Sequence, residues 1–392
     1  MRIALFHNLP HGGALRAITD IARRMPEHVT DIYTFADITL PEDIKSITLH
    51  KISVPLTDFF KRPFGRLNGF VSLANLNRID KACRKLAAEI DNEGFDLVYV
   101  GPCRVCQTPP ILKYLKTPAV YHCTEVFRGI LDCTVRHRPA LAEKGFINNI
   151  YIRKAVENEW AGLKAAKLVF TNSCRTRESI LENYGVEARV AYDCVDTDLF
   201  KPLNSPKEDF VLSVGRLSDS KGHDRVIDAL SLIPKDIRPA LRIVCGPTGD
   251  AEAAFYTCYA AERDVNLILE KNISDERLLG LYNKAKVTVY EPVLEPLGLV
   301  PVESMACGTP VVGAAEGGIR ETIKDGENGI LTRREPEEIA AAIIKLITDD
   351  ALAERMGKAG AEYAAERWSW NKNIRERVTI MERIVSESRG GK

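Results

Sequence analysis

From Arg2 to Arg334 the chain alternates short runs rich in Val, Ile and Leu with longer segments of helical period. When each strand is followed by a helix, the next strand must run parallel to it, because the helix carries the chain back across the sheet. Seven strand candidates form a first series: "RIALFHN", "DIYTFAD", "SITLHKI", "DLVYVG", "AVYHC", "KLVFTNS" and "RVAYDC". A second series follows: "FVLSVGR", "LRIVCG", "NLILEK", "VTVYE", "PVVGA" and "GILTRR". At 392 residues the chain exceeds the ~250–300 residues that one core usually serves. The expected class is therefore α/β, with two doubly wound, Rossmann-like units rather than one wide sheet. The polar stretch "DTDLFKPLNSPKED", Asp196 to Asp209, reads as their linker. The expected domains are residues 1–196 and 197–372.

Composition restricts what such a chain can do. With 45% hydrophobic and 28% charged residues it has the usage of a globular protein, and no run reaches the ~18 apolar residues of a membrane span. The start, "MRIALFHNLPHGG", turns polar too soon for a signal peptide, so a cytoplasmic location is expected. The ten cysteines are then expected as reduced thiols packed like small hydrophobes. Cys103 and Cys106 form a close pair, but no second pair completes a zinc-site spacing. The formal net charge of zero gives no general pull toward nucleic acid. Residues 1–196 hold 27 basic against 22 acidic side chains, and the remainder 27 against 32. The excess is concentrated between Phe59 and Lys85, where Lys61, Arg62, Arg66, Arg78, Lys81, Arg84 and Lys85 face Asp80 alone, interleaved with Phe59, Phe60, Phe64 and Phe70. That stretch can touch an anionic lipid surface, or be a solvated helix face with its apolar side on the core.

In open parallel sheets ligands bind beyond the carboxyl ends of the strands. The loop after "VTVY" leads into "EPLGLVPVESMACGTPVV", in which seven residues separate Glu295 from Glu303. Pro301 must lie in the first turn of the following helix, because its ring clashes with the carbonyl four residues back. The helix is thus expected to begin near Leu297 or Gly298, with the amides of Leu297, Gly298 and Leu299 free at its positive end, where a phosphate can bind. A carboxylate on each side of an anion site suits a nucleotide sugar; a helix cap at Glu295 and a solvated Glu303 are the bland alternative. In "VGRLSDSKGHDRVIDAL", Arg216 and Lys221 place two cations in one strand-to-helix loop, where a diphosphate leaving group can be held.

Weaker signals stand in the first half. Gly12 and Gly13 open a helix after the first strand, as a ligand-facing turn or simply a tight one. His122, at the tip of "AVYHC", can exchange a proton, bond a sugar hydroxyl or be structural. Asp196 and Asp198 look like a metal-binding Asp-x-Asp but fall in the linker, where turn and capping roles suffice. No P-loop, His-Glu-x-x-His or nucleophile-elbow serine occurs.

Together these loops resemble the family-four retaining glycosyltransferases of the GT-B fold, over nearly the whole chain. "EPLGLVPVESMACGTPVVGAAEGGIRETI" is similar to that family's signature with its two glutamates, "VLSVGRLSDSKGHDRVIDAL" to its Arg/Lys segment, and "LVFTNSCRTRESILENYGVEARVAYDCVDTDLF" to its interdomain approach. Gly12, Gly13 and His122 also agree, with Leu297 standing where the family usually has Phe. "RWSWNKNIRERVTIMERI" resembles the closing helix, about 373–392, that returns to the first domain. The resemblance implies two Rossmann-like domains facing each other across a cleft, the first binding the acceptor and the second the nucleotide sugar. It further implies that Arg216 and Lys221 neutralise the departing diphosphate, that the amides of Leu297, Gly298 and Leu299 hold donor sugar and phosphate, and that Glu303 binds the ribose hydroxyls. Glu295 would take a donor-sugar hydroxyl, and His122 the sugar from the first domain. No cofactor or metal is implied. The leaving phosphate oxygen would accept the acceptor's proton on one face of the donor.

The expected activity is transfer of a hexosyl group, with retention, to a glycan or lipid-linked glycan, with weak peripheral membrane contact through the first domain. An epimerase or phosphorylase on the same architecture, or a non-catalytic sugar-nucleotide-binding protein, is the alternative. Base recognition is expected through backbone near Asn272 and Ile273, which leaves little trace in residue identity.

Overall fold

The structure is a computed structural model, and it describes all residues except 11, 42–43, 45, 61–67, 128–145 and 391–392. Two compact units emerge, one of residues 1–192 with 371–392 and the other of residues 193–370.

The first unit carries strands β1 (Ile3–Asn8), β2 (Val29–Thr34), β3 (Thr48–Lys51), β4 (Leu97–Cys103), β5 (Ala119–Cys123), β6 (Leu168–Thr171) and β7 (Arg189–Val190). They form one sheet in the order β3-β2-β1-β4-β5-β6-β7, with every pair parallel. The helices are α1 (Gly13–Arg23), α2 (Asn68–Asn92), α3 (Phe146–Ala165) and α4 (Cys174–Tyr184). All seven residues of β4 are buried, as a central strand covered on both faces requires, and this is why it reads as an almost unbroken apolar run. Val98, Val100, Tyr121 and Val169 on one face pack with Ile79, Cys83, Leu86 and Ile90 of α2. Helix α4 starts where Ser173 Oγ accepts the Thr176 amide at 3.0 Å and stops at Gly185, whose φ of 61° a glycine tolerates freely.

The second unit repeats the plan with β8 (Glu208–Val214), β9 (Ala240–Cys245), β10 (Leu267–Lys271), β11 (Ala285–Tyr290), β12 (Val311–Ala314) and β13 (Gly329–Thr332). Its sheet, also wholly parallel, has the order β10-β9-β8-β11-β12-β13. Helices α5 (His223–Ser231), α6 (Asp250–Ala261), α7 (Asp275–Lys284), α8 (Leu299–Ala306), α9 (Ile319–Thr322), α10 (Pro336–Thr348) and α11 (Asp350–Arg367) accompany these strands. Val211, Ile243, Val287 and Val312 form its core with Ile227 and Leu230 of α5 and Ile339 and Ile343 of α10. All thirteen strand candidates thus fold as strands.

The stretch expected to be a linker is instead part of the second unit. Phe200 is buried edge-on to Tyr282, the Leu203 amide donates to Asn283 Oδ1 at 2.7 Å, and Glu208 and Asp209 already belong to β8. The stretch is polar on average, yet its one aromatic side chain still docks. Helix α12 (Trp370–Gly390) places Arg377 in the interior of the first unit, donating to Tyr99 Oη at 2.8 Å and to the carbonyls of Ala191 and Tyr192.

Nine described cysteines carry free thiols; Cys258 is exposed and Cys174 half-buried, while the others are buried. Cys133 lies outside the described residues, as do Lys61, Arg62, Phe64, Arg66, Arg136, Arg138 and Lys144 of the basic stretches. Among the described residues no helix is long and apolar enough to cross a membrane.

Candidate active site

The strand order of the second sheet reverses between β8 and β11. Two loops leave neighbouring strands there in opposite directions and open a crevice at their carboxyl ends. The loop after β8 carries Arg216 and Lys221; the loop after β11 carries Glu295.

Lys221 closes a short 3-10 turn, Asp219–Lys221, and the chain then enters α5 through Gly222. That glycine has φ 71°, and a Cβ on it would lie 2.0 Å from the Glu291 carbonyl oxygen. Only glycine allows the two loops to come this close. Beneath the turn His223 is fully buried; its Nδ1 is 2.9 Å from Ser213 Oγ and its Nε2 is 3.3 Å from the Gly215 carbonyl. Burial holds its pKa down at about 4, so the ring is neutral and serves as a fixed strut.

Across the crevice Lys221 Nζ lies 2.8 Å from Glu295 Oε2 and 3.4 Å from Tyr290 Oη. The side chains of the ion pair are each 17% exposed, so solvent and ligand can reach them while screening is reduced. Arg216 is exposed two residues beyond β8, and its guanidinium has no ion-pair partner among the described residues. One cation is therefore engaged with the carboxylate and the other is available to an anion.

Helix α8 begins at Leu299, with Gly298 as its N-cap at φ 91°. The start lies slightly later than expected, because Gly298 takes a left-handed turn that no helix continues through. Pro301 is the third helical residue and still satisfies the first-turn restriction. The amides without an intrahelical acceptor are consequently those of Gly298, Leu299 and Val300, and Leu297 stands before the cap with a buried side chain. Glu295 does not cap this helix; its side chain is spent on Lys221. Glu303, on α8, is not a solvated surface residue either. It is buried, and Tyr282 Oη donates to its Oε2 at 2.8 Å, the pairing that a buried carboxylate requires.

Beside the pair, the sequence signals miss a supporting network. Leu294 adopts φ 49°, a left-handed conformation that costs a non-glycine residue roughly 1–2 kcal/mol. Its amide donates to Glu316 Oε1 at 2.5 Å. Gly318 donates to the Glu295 carbonyl at 2.8 Å, and a Cβ on Gly318 would lie 2.0 Å from the Pro296 oxygen. Glu291, where β11 ends, is wholly buried and accepts from Thr332 Oγ1 at 3.2 Å. Burial pushes its carboxyl up to about 8, so it carries its proton at neutral pH. The carboxylate before a glycine pair in "AAEGG" is the one visible hint of this support, whereas the backbone angle of Leu294 has no sequence mark.

The remaining candidates lie elsewhere. Asn272 and Ile273 follow β10; Asn272 has φ 52°, and its amide donates to the Cys245 carbonyl at 2.9 Å. That amide is committed, which leaves the Asn272 carbonyl and the backbone of Ile273 for a ligand. In the first unit Gly12 caps α1, and a Cβ on Gly12 or Gly13 would meet nothing within 4 Å; the helix start faces open space. His122 lies within β5 rather than on a loop tip, fully buried and edge-on to Tyr99 with ring centroids 6.0 Å apart. Asp196 Oδ1 accepts the amides of Asp198 and Leu199 at 3.1 and 3.3 Å, which is a turn-capping role.

Comparison with known proteins follows the same division. The family model described as glycosyl transferases group 1 matches residues 195–363, the segment that holds both loops. The D-inositol 3-phosphate glycosyltransferase of Acidothermus cellulolyticus is 31% identical over 249 residues, 57% of this chain and 55% of that one. That of Xylanimonas cellulosilytica is 33% identical over 43% of this chain and 40% of its own length. The chain thus spans about half the length of these curated relatives. An uncharacterized glycosyltransferase of Methanocaldococcus jannaschii is 25% identical over 93% of this chain and 92% of its own. Among solved structures, sucrose-phosphate synthase from Thermosynechococcus elongatus superposes with a TM-score of 0.79 at 21% identity, covering 98% of this chain and 99% of that one. HepE of Anabaena in complex with UDP-glucose gives 0.71 at 21% identity over the full length of both. At these identities the likeness is one of fold, and that fold is of the GT-B type.

Proposed function

We propose that this chain, whose residues 195–363 belong to the group 1 glycosyl transferases, moves a hexosyl group from a nucleotide-diphosphate sugar to a glycan or lipid-linked glycan. The observation that carries the reading is the pairing of Lys221 with Glu295 across the switch point, beside an uncommitted Arg216 and the start of α8. A diphosphate entering the crevice would meet Arg216, the ammonium of Lys221 and the amides of Gly298, Leu299 and Val300. Charge builds on the leaving diphosphate as the glycosidic bond breaks, so groups fixed around it stabilise the transition state more than the ground state. Binding of the anion would draw Lys221 toward it and free Glu295 to accept a bond from a donor-sugar hydroxyl. Glu303, which accepts a hydrogen bond from Tyr282, would in this reading bond the ribose hydroxyls.

In this reading the departing phosphate oxygen takes the acceptor's proton on the face it leaves from, and the sugar keeps its anomeric configuration. The cations named do the work that a metal does in other transferases. HepE, solved with UDP-glucose, lends support to a uridine nucleotide as the first donor to try. WaaG, a glycosyltransferase involved in lipopolysaccharide biosynthesis with a TM-score of 0.70 at 19% identity, covering 97% of this chain and 99% of that one, is in keeping with a lipid-linked acceptor.

The test is a panel of UDP-, GDP- and ADP-sugars read by thermal stabilisation and by NMR of the product. A true donor at 100 times its dissociation constant should add ~2.7 kcal/mol, and the product should retain the donor's anomeric configuration. No stabilisation by any nucleotide sugar would overturn the reading, and an inverted product would overturn the retaining mechanism.

A further inference from the structure

We propose that Glu316 is the positioning residue of the candidate donor site, holding Leu294 in its left-handed conformation so that Glu295 points at Lys221. The inference rests on the donor-site reading for its consequence in catalysis, but its structural part stands apart from it.

Glu295 reaches Lys221 from an unusual stretch of backbone. Leu294, directly before it, has φ 49°, and nothing in a leucine side chain favours that region, since its Cβ crowds the following carbonyl there. Such a residue persists only where its surroundings over-determine it. Here the Leu294 amide is turned toward β12's exit, and Glu316 Oε1 accepts its hydrogen at 2.5 Å. A charged acceptor makes a stronger bond to an amide than a neutral one. Two residues further on, Gly318 binds the Glu295 carbonyl. A Cβ at Gly317 would stand 2.5 Å from that same oxygen, so the segment 316–318 lies directly against the backbone of 294–296.

Three contacts thus fix one carboxylate: an acceptor for the residue before it, a donor for its own carbonyl, and a close backbone wall. Of these, the bond to Glu316 acts on the strained residue. Without it Leu294 returns to negative φ, which rotates the peptide leading into Glu295 and carries its carboxylate away from Lys221. Glu316 touches neither the Lys221 ammonium nor, in the proposed reading, the donor; it acts through Leu294.

The test uses Glu316→Ala, Glu316→Gln and the double variant Glu316→Ala with Leu294→Gly in the full chain. Gln retains an acceptor oxygen, and Gly accepts left-handed φ without one. Turnover with the nucleotide sugar that supports the unaltered protein should fall about 10-fold or more in Glu316→Ala, stay within about 3-fold in Glu316→Gln, and recover in part in the double variant. A crystal structure of Glu316→Ala should show Leu294 at negative φ and the Lys221–Glu295 pair opened beyond 4 Å. An unchanged pair in that structure, or failure of both Gln and the second-site glycine to restore turnover, would overturn the proposal. If the unaltered protein turns over no nucleotide sugar, the functional reading fails; the crystallographic comparison still decides the positioning role.

Discussion

Lys221 and Glu295 stand 74 residues apart in the chain and 2.8 Å apart in space, each on the loop that leaves one of the two strands flanking the reversal of the second sheet. Their meeting follows from topology. β8 and β11 are neighbours because the chain winds outward from β8 in one direction and then returns to its other side, so the loops at their carboxyl ends share one crevice.

Replacing Lys221 or Arg216 with Ala is expected to lower turnover by about 10²-fold or more, the usual loss when a group that stabilises developing charge is removed. Arg216 is exposed, so its loss should leave stability within about 0.5 kcal/mol. Steady-state kinetics and urea unfolding on the same samples check both statements. Near-normal turnover in both variants would remove the crevice from consideration as the donor site.

Gly222→Ala should be far more disruptive than its size suggests. The added Cβ would collide with the Glu291 carbonyl, 2.0 Å away, at a φ of 71° that disfavours any side chain. A destabilisation on the order of a few kcal/mol, with activity lost along with it, is expected. Thermal unfolding measures it; a melting temperature within a degree of the unaltered protein would mean the loops have room to separate.

The pH dependence of stability should carry the mark of Glu291. Its carboxyl sits at about 8 in the folded protein against an ordinary value of 4.5, so the folded state holds a proton that the unfolded chain releases. Stability should therefore fall as pH rises from about 4.5 through 8 and then level off. Glu159 is pushed up to about 7 by burial and works in the same sense over a narrower window. Glu291→Gln keeps an acceptor for Thr332 and has no proton to release, so chemical denaturation across this range should show a shallower fall. An unchanged slope would show that Glu291 is ionised in the folded protein.

Activity is expected to survive EDTA. In the proposed mechanism two cationic side chains face the diphosphate, and Asp196, the first carboxylate of the only tempting Asp-x-Asp, is engaged with the Asp198 and Leu199 amides. Loss of turnover on chelation, restored by magnesium or manganese, would reverse this assignment.

Weak binding to anionic membranes should come from the first unit. Phe59 and Phe60 are 62% and 45% exposed just before α2, which carries Phe70, 53% exposed, together with Arg78, Lys81, Arg84 and Lys85. Each cation near an anionic surface contributes ~1 kcal/mol, so a few together suffice for salt-sensitive attachment. Flotation with anionic and neutral vesicles at low and high salt reads this directly, with a Phe59→Ser, Phe60→Ser variant expected to float less. Indifference to anionic vesicles at low salt would leave a soluble acceptor as the simpler account.

The sequence by itself determined the strands, their parallel sense and the division into two units, because a strand buried on both faces must be apolar throughout and a crossover helix must show its own period. It also marked the start of α8 to within two residues, since proline's missing amide and fixed φ act locally, and it placed Arg216, Lys221 and Glu295 on strand-to-helix loops and Glu303 on α8 itself. Only the tertiary structure decided what those side chains touch. Glu303 proved buried against Tyr282 and His122 enclosed within β5, because burial depends on what packs above a residue, and neighbours along the chain do not report it. Leu294's left-handed turn, its tie to Glu316 and the raised carboxyl of Glu291 were equally silent in the sequence. Each arises where segments distant in the chain are pressed together, and there non-local contacts override the local preferences that residue identity records.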